Sequence, residues 1–274
     1  MEFKKVLIKY GGNAMTNDSL KGQIAAKVKI LHDNGIQVIM VHGGGPFINK
    51  ALEEAGVASE FFDGHRYTSA AALQSIEKTL KGEVNSSLVN LLNRQGLKAV
   101  GLSGKDGKLA IAQKRWHRAI DANGVAERVD LGQVGELIQV NPLLLEVILE
   151  HGFTPVITCI ASDLEGNDFN INGDVFAGKI AAALKADAYI VLTDVDGLYL
   201  DFPDPKSILE KVDLKTIPQY YGKAIKGGMI PKIESCVAAV NEGVGQAIIL
   251  NGKQPEQITD YILKGKNIGT TITQ

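Results

Sequence analysis

Two lysines stand beside glycine turns far apart in the chain: Lys9 in Lys9-Tyr10-Gly11-Gly12, and Lys232 in Lys226-Gly227-Gly228-Met229-Ile230-Pro231-Lys232. A third glycine run, His42-Gly43-Gly44-Gly45-Pro46, follows the apolar stretch Val38-Ile39-Met40-Val41. These residue types suit the handling of phosphate. Glycine has no Cβ, so a bulky oxyanion can come close to the main chain. A helix that starts at such a turn offers N–H groups without intrahelical acceptors, and these attract anions. Pro46 fits the first turn of that helix, where its missing N–H is harmless. Lys232 falls in the first turn of its own helix, where a cation opposes the helix dipole and an anionic ligand would account for it.

Three further clusters carry chemistry. Asn170-Ile171-Asn172-Gly173-Asp174 precedes a helix. Asn172 reads as its N-cap and Asp174 as a favourable first-turn charge, which leaves the alternating pair Asn170 and Asn172 pointing to a ligand. In Gly64-His65-Arg66-Tyr67-Thr68, the Arg66 fork can grip a carboxylate with two parallel hydrogen bonds, although a solvated surface arginine is the simpler reading of the loop alone. Thr193-Asp194-Val195-Asp196-Gly197-Leu198-Tyr199 sets polar groups after a buried strand, where they can line a nucleotide pocket. Its two carboxylates are too few for a metal-ligand assignment, so no metal-binding residue is assigned. No histidine or cysteine stands out as a nucleophile or base. Arg115-Trp116-His117-Arg118 reads as a solvated hairpin tip.

Familiar alternatives fail on their own terms. The glycine run after His42 is similar to a lipase oxyanion turn, but the required G-x-S-x-G elbow is missing, since Lys105 replaces the last glycine in Gly101-Leu102-Ser103-Gly104-Lys105. Gly104-Lys105 is not a phosphate-binding P-loop, because Ala99 occupies its first glycine position. A dinucleotide fingerprint is absent too.

The elements that must hold these residues alternate between strand and helix. Strands are expected at Phe3 to Tyr10, Gln37 to His42, Lys98 to Leu102, Thr154 to Ile160, Ala188 to Thr193 and Gln246 to Leu250. Helices are expected at Ser19 to Asn34, Pro46 to Ala55, Ser69 to Arg94 with a break near Gly82, Pro142 to Glu150, Val175 to Lys185, Pro231 to Glu242 and Glu256 to Lys264. This rhythm predicts an α/β fold with a mainly parallel sheet covered on both faces. Strand ends of one sense then lie on one edge of the sheet, which gathers the glycine turns there. Residues 103–140 interrupt the rhythm. Leu109 to Trp116 and Val125 to Asp130 read as antiparallel pieces about a turn at Ala122-Asn123-Gly124, with a further strand at Gln133 to Val140. Residues 161–172 read as turns, and Ile268 to Ile272 as an edge strand. A soft boundary falls at residues 180–185, giving an N-terminal lobe of 1–183 and a C-terminal lobe of 184–274 that share one sheet.

Composition excludes several classes. The 274 residues are 45% apolar and 22% charged, with a net charge of −2, so no basic character argues for nucleic acid. No apolar run approaches the length of a membrane span. Met1-Glu2-Phe3-Lys4-Lys5 shows no signal-peptide pattern, and two isolated cysteines, Cys159 and Cys236, make neither a disulfide scaffold nor a zinc motif. These features predict a soluble protein in the cytoplasm.

Taken together, Lys9 to Met15, Val41 to Pro46, Gly64 to Thr68, Gly101 to Gly107, Asn170 to Asp174, Thr193 to Tyr199 and Gly227 to Lys232 resemble the amino-acid kinase family over nearly the whole chain, in order. The resemblance implies an open αβα sandwich, with an acyl amino acid in the N-terminal lobe and ATP in the C-terminal lobe. Magnesium would be held mainly by the nucleotide phosphates, and the N-terminal lobes would form a homodimer. The implied reaction phosphorylates the side-chain carboxylate of N-acetyl-L-glutamate, as in arginine biosynthesis. Arg66-Tyr67-Thr68 is also similar to members that act on acylated or carrier-bound aminoadipate in lysine biosynthesis, and a non-catalytic sensor is the alternative from another class. By resemblance, Lys9 and Lys232 hold the transferring phosphoryl group and Asp174 orients them. Gly44, Gly45, Arg66, Asn170 and Asn172 contact the acyl amino acid. Gly11, Gly12, Thr193, Asp194, Asp196, Gly197, Leu198, Tyr199, Gly227, Gly228 and Met229 border the nucleotide. Arginine-inhibited members carry a helix ahead of the first strand and a glutamate where this chain has Tyr261, so insensitivity to arginine is expected.

Overall fold

The structure, a computed structural model, describes residues 2–62, 65–120 and 126–274. Met1, Gly64, the expected Ala122-Asn123-Gly124 turn and Val125 lie outside the described residues. Lys5–Tyr10 form β1 and Gln37–His42 form β2, joined by α1 (Asp18–Asp33). Asn17 caps α1 by accepting from the Leu20 N–H, an arrangement that contributes about 1 kcal/mol. α2 (Gly45–Glu54) opens directly on the glycine turn, with Pro46 in its first turn. Two short antiparallel strands follow, β3 (Phe61–Phe62) and β4 (His65–Arg66).

The next helical stretch does not break at Gly82. α3 (Ala70–Glu77) widens into a π-helical segment, Lys78–Asn85, and tightens again into α4 (Ser86–Arg94). β5 (Ala99–Ser103) leads to the long hairpin of β6 (Ala110–Ile120) and β7 (Ala126–Val140). The runs read separately as Val125 to Asp130 and Gln133 to Val140 are thus one strand. Its register against β6 shifts between Lys114 and Trp116, and Gly132, at φ +73°, carries the chain through the irregularity. Only glycine fits there, because a Cβ would meet the Thr68 carbonyl at 2.3 Å.

The remaining elements are α5 (Leu143–Glu150), β8 (Thr154–Thr158), β9 (Ile160–Ser162), β10 (Asp168–Ile171) and α6 (Gly173–Ala183). After them come β11 (Ala188–Thr193), β12 (Lys211–Asp213), α7 (Met229–Asn241), β13 (Gln246–Asn251), α8 (Glu256–Lys264) and β14 (Thr270–Thr273). Eight strands form one sheet in the order β12-β14-β13-β11-β1-β2-β8-β5, while β10, β7, β6 and β9 close on themselves beside it. β14 is therefore interior and antiparallel to β13, and the three-residue β12 is the edge. Sequence reading missed β9, β10 and β12, since runs this short carry too few residues to show a period.

Alternation along the strands divides the core in two. Val6, Ile8 and Tyr10 pack with Val38, Met40, α1, α4 and α8 on one face. Leu7, Ile39, Val41 and Tyr189 pack with α2, α3, α6 and α7 on the other. Successive side chains must point to opposite faces, so Lys9 falls on the α6 face and His42 on the α4 face. β1 lies between β2 and β11 in parallel register, and its C-terminal end sits beside those of both.

Candidate active site

Lys9 is buried at the C-terminal end of β1, with 7% of its surface exposed. Its Nζ lies 2.8 Å from Asp174 Oδ1, and Lys232 Nζ lies 3.0 Å from Asp174 Oδ2. One carboxylate thus bridges two ammonium groups that are 223 residues apart in the chain (232 − 9). Local structure explains the meeting. Asn172 Oδ1 accepts from the N–H groups of Asp174 and Val175, which starts α6 and fixes Asp174 in its first turn. Gly178 lets α7 come close, since a Cβ there would sit 2.9 Å from the Ser235 carbonyl oxygen. Tyr189 on β11 donates its hydroxyl to the Asp174 carbonyl at 2.9 Å. Burial pushes the Asp174 carboxyl up, but Lys9 and then Lys232 outweigh it and hold the group below the usual carboxylate value. The carboxylate is therefore ionised, and the lysines are drawn to one point.

Lys9 and Asp174 line a cavity of about 240 Å³, and Lys232 reaches it only through Asp174, without being part of its wall. Gly11, Gly12 and Gly43 to Gly45 form one side, and Arg66, Asn170 and Asn172 another. Gly11 is needed for space, because a Cβ would approach Lys9 Nζ to 2.7 Å. Gly12 adopts φ +71°, beside the Asp194 carboxylate at 3.6 Å from its Cβ position. Arg66 is held rigidly. It donates to Ser59 Oγ and Asn49 Oδ1, and its guanidinium stacks 4.5 Å from the centre of the Phe61 ring. Burial alone lowers its pKa. Asn170 Nδ2 donates weakly to Thr68 Oγ1 at 3.4 Å.

The structure brings together Lys9, Asp174, Lys232, Gly11, Gly12, Gly44, Gly45, Arg66, Asn170 and Asn172, and it treats the nucleotide segments differently. Thr193, Asp194, Asp196, Gly197, Leu198, Tyr199, Gly227, Gly228 and Met229 are not part of the cavity wall. Asp196 is spent within the protein: Oδ1 accepts from Asn251 and Gln254, and Oδ2 from the Tyr199 hydroxyl. Leu198 is buried, with its N–H donated to Thr270 Oγ1. At Gly197 a Cβ would meet that same Oγ1 at 2.7 Å. These residues shape a loop next to Gly12 and Asp194.

Arg115, read as part of a solvated tip, lines the cavity instead. It sits at the register shift of β6, and such an irregularity re-aims a side chain without any mark in composition. Phe61 joins the wall for a similar reason, from a two-residue strand too short to be recognised. Among the described residues, no group of three or more His, Cys, Asp or Glu side chains is placed to hold a metal.

A parallel α/β sheet whose strand ends converge on bridged lysines and bare glycine turns defines a phosphate-handling α/β protein. The chain belongs to the amino acid kinase family, whose description matches residues 4–251. Within it, the chain is 42% identical over 272 residues to an acetylglutamate kinase of Methanococcus aeolicus, covering 99% of this chain and 92% of that one. It is 43% identical over 270 residues to the acetylglutamate kinase of Methanococcus vannielii, covering 98% and 92%. Among solved structures, smu.665 from Streptococcus mutans superposes with a TM-score of 0.78 at 30% identity over 98% of each chain.

Proposed function

We propose that this protein transfers the γ-phosphoryl group of ATP to the side-chain carboxylate of N-acetyl-L-glutamate, forming an acyl phosphate in arginine biosynthesis. The observation that carries the reading is the single carboxylate of Asp174 holding both Lys9 and Lys232, with Asp174 and Lys9 themselves in the wall of a glycine-lined cavity. The family and the names of full-length relatives support the substrate and the phosphoryl donor.

The residues present fit a triphosphate. Gly11 leaves room beside Lys9 that a Cβ would fill, and Gly44 and Gly45 offer N–H groups at the start of α2. Arg66 and Asn170 grip the α-carboxylate, with Arg115 adding positive charge to the same wall. Asn172 serves both as helix cap and as a contact to the substrate. A glutamate side chain ionises near pH ~4.3, so the attacking oxygen is already anionic at neutral pH and needs no base. The obstacle is repulsion: two unit charges about 4 Å apart cost roughly 4 kcal/mol at a surface-like dielectric. Lys9 and Lys232 offset it, and Asp174 keeps their ammonium groups aimed at one point before the substrates arrive. Magnesium, bound mainly by the phosphates, would neutralise charge on the donor.

In this reading residues 1–183 form the acyl amino acid lobe, since Arg66, Arg115 and Asn170 to Asp174 all precede the boundary. Residues 184–274 form the nucleotide lobe with the loops at 193–199 and 227–232. The N-terminal lobes would pair as a homodimer. A cytoplasmic setting suits two free, buried thiols, Cys159 and Cys236. A coupled ADP assay with hydroxylamine capture of the product tests the reaction. N-acetyl-L-glutamate is expected to give a hydroxamate. N-acetylated 2-aminoadipate, longer by one methylene, should turn over at least tenfold more slowly, and the reverse order would overturn the substrate assignment.

A further inference from the structure

The geometry points to His42 and Asn85 as positioning residues that lock the Gly43–Gly44 peptide, so that the Gly44 N–H faces the cavity. His42 ends β2 on the face opposite Lys9 and is fully buried. Its Nδ1 lies 2.9 Å from the Gly43 carbonyl oxygen. A carbonyl can only accept, so Nδ1 carries the proton. Asn85 Nδ2 lies 2.9 Å from His42 Nε2 and 2.9 Å from the Val156 carbonyl oxygen. The second contact requires the amide nitrogen, not the oxygen, at that point, so Nε2 is the acceptor and the tautomer is fixed from both sides. Burial holds the ring pKa down to about 4, which keeps it neutral at working pH.

The consequence follows from peptide planarity. In a trans peptide the C=O and the N–H of one unit point in opposite directions. The Gly43 carbonyl is tied to a buried ring, so the Gly44 N–H must point away from it, towards the cavity that Gly44 lines. Glycine has little intrinsic resistance to a peptide flip, and the flipped form would aim a carbonyl oxygen at the arriving anion. The π-helical segment supplies the counterpart. Leu80, Val84 and Asn85 all reach the turn, and a Cβ on Gly44 would meet Leu80 Cδ2 at 2.7 Å. Asn85 is itself seated by Gly101, where a Cβ would collide with its Oδ1 at 2.2 Å. Widened helical turns are common at functional sites, and this one places three side chains under a single turn.

This inference rests on the proposed carboxylate phosphorylation, and its test separates the two. In wild type, a long-range proton–nitrogen spectrum of labelled histidine at pH 7 should show His42 protonated at Nδ1 only. The Nε2–H tautomer or a charged ring would overturn the lock whatever the substrate proves to be. In steady-state assays with N-acetyl-L-glutamate, His42→Leu should lower kcat about 30- to 300-fold with KM for MgATP within about threefold. His42→Asn, whose amide nitrogen falls near the Nδ1 position, should recover at least tenfold of that loss. His42→Gln, which mimics Nε2 instead, should not. Losses that track thermal stability equally across the three variants, or a Leu variant within threefold of wild type, would overturn the inference. Wild type inactive on N-acetyl-L-glutamate but with the Nδ1–H tautomer would sink the substrate reading and leave the lock standing.

Discussion

At the scale of single residues, the site depends on one negative charge placed between two positive ones. Lys9→Ala and Lys232→Ala are each expected to lower kcat by about 100- to 1,000-fold, with the far-ultraviolet circular dichroism unchanged. Near-normal turnover in both would remove the lysines from the chemistry. Asp174→Asn keeps the shape and removes the charge. Breaking a buried pair in this way costs about 3–5 kcal/mol, to be read by urea unfolding at pH 7. A loss under about 1 kcal/mol would mean that the carboxylate does not hold the lysines electrostatically. The two arginines of the wall make a separate prediction. Arg66→Lys loses the fork fixed by Ser59, Asn49 and Phe61, and Arg115→Ala loses a cation. Both should raise KM for the acyl amino acid, by about tenfold or more for Arg66 and severalfold for Arg115, and KM for MgATP should barely move. An Arg115 variant with unchanged KM would leave that side chain a bystander at the rim.

At the scale of elements, helices α6 and α7 work as a pair, because Asp174 sits on one and Lys232 on the other. Their spacing is set by the missing side chain at Gly178. Gly178→Ala would press a methyl group against the Ser235 backbone, so the helices must separate. The expected cost is about 1–3 kcal/mol by chemical denaturation. Because the ion pair spans that same interface, kcat should fall as well. A variant as stable as wild type would show that the interface yields without harm. The hairpin of β6 and β7 differs from the sheet in kind. It is antiparallel and irregular at Arg115 and Gly132, and it reaches the site from outside the αβα layers.

For the whole molecule, two buried groups at the site contribute to the pH dependence of stability. His42 is neutral in the fold, with a pKa of about 4 caused first by burial and also by the nearby Lys81 charge, against about 6.5 when unfolded. Its folded value is the lower one. The stability it permits is complete above pH ~6.5 and is lost as pH falls towards 4, by roughly 3 kcal/mol in all. Asp174 is also depressed, so its contribution is present above the ordinary carboxylate range and disappears as pH falls through its folded value. The thermal midpoint should therefore drop between pH 7 and pH 5 mainly through His42, and His42→Asn should flatten that slope. An identical slope in the variant would contradict the assignment. The proposed homodimer makes an independent prediction, a mass near twice 29.3 kDa by light scattering. A monomer at micromolar concentration would refute it.

Local signals in the chain placed most strands of the main sheet, the helices that cover it and the residues that carry charge at the site, but not the edge strand β12 or the interior position of β14. Strands such as Gln37–His42 and Ala188–Thr193 are continuous apolar runs, and Gly11, Gly44, Asn172 and Lys232 are marked by their neighbours in the chain. Local signals suffice for these because turn geometry, capping and apolar periodicity are decided within a few residues. Tertiary structure alone decided what meets what. Nothing near Lys9 or Lys232 announces that both end on Asp174, and nothing around Arg115 separates a cavity wall from a solvated tip. Nor does His42 reveal by its neighbours that it holds a carbonyl with one nitrogen and an asparagine with the other. Such contacts join segments tens to hundreds of residues apart. They exist only once strand register, a bulge and a widened helical turn have set the direction of each side chain, and composition carries no record of direction.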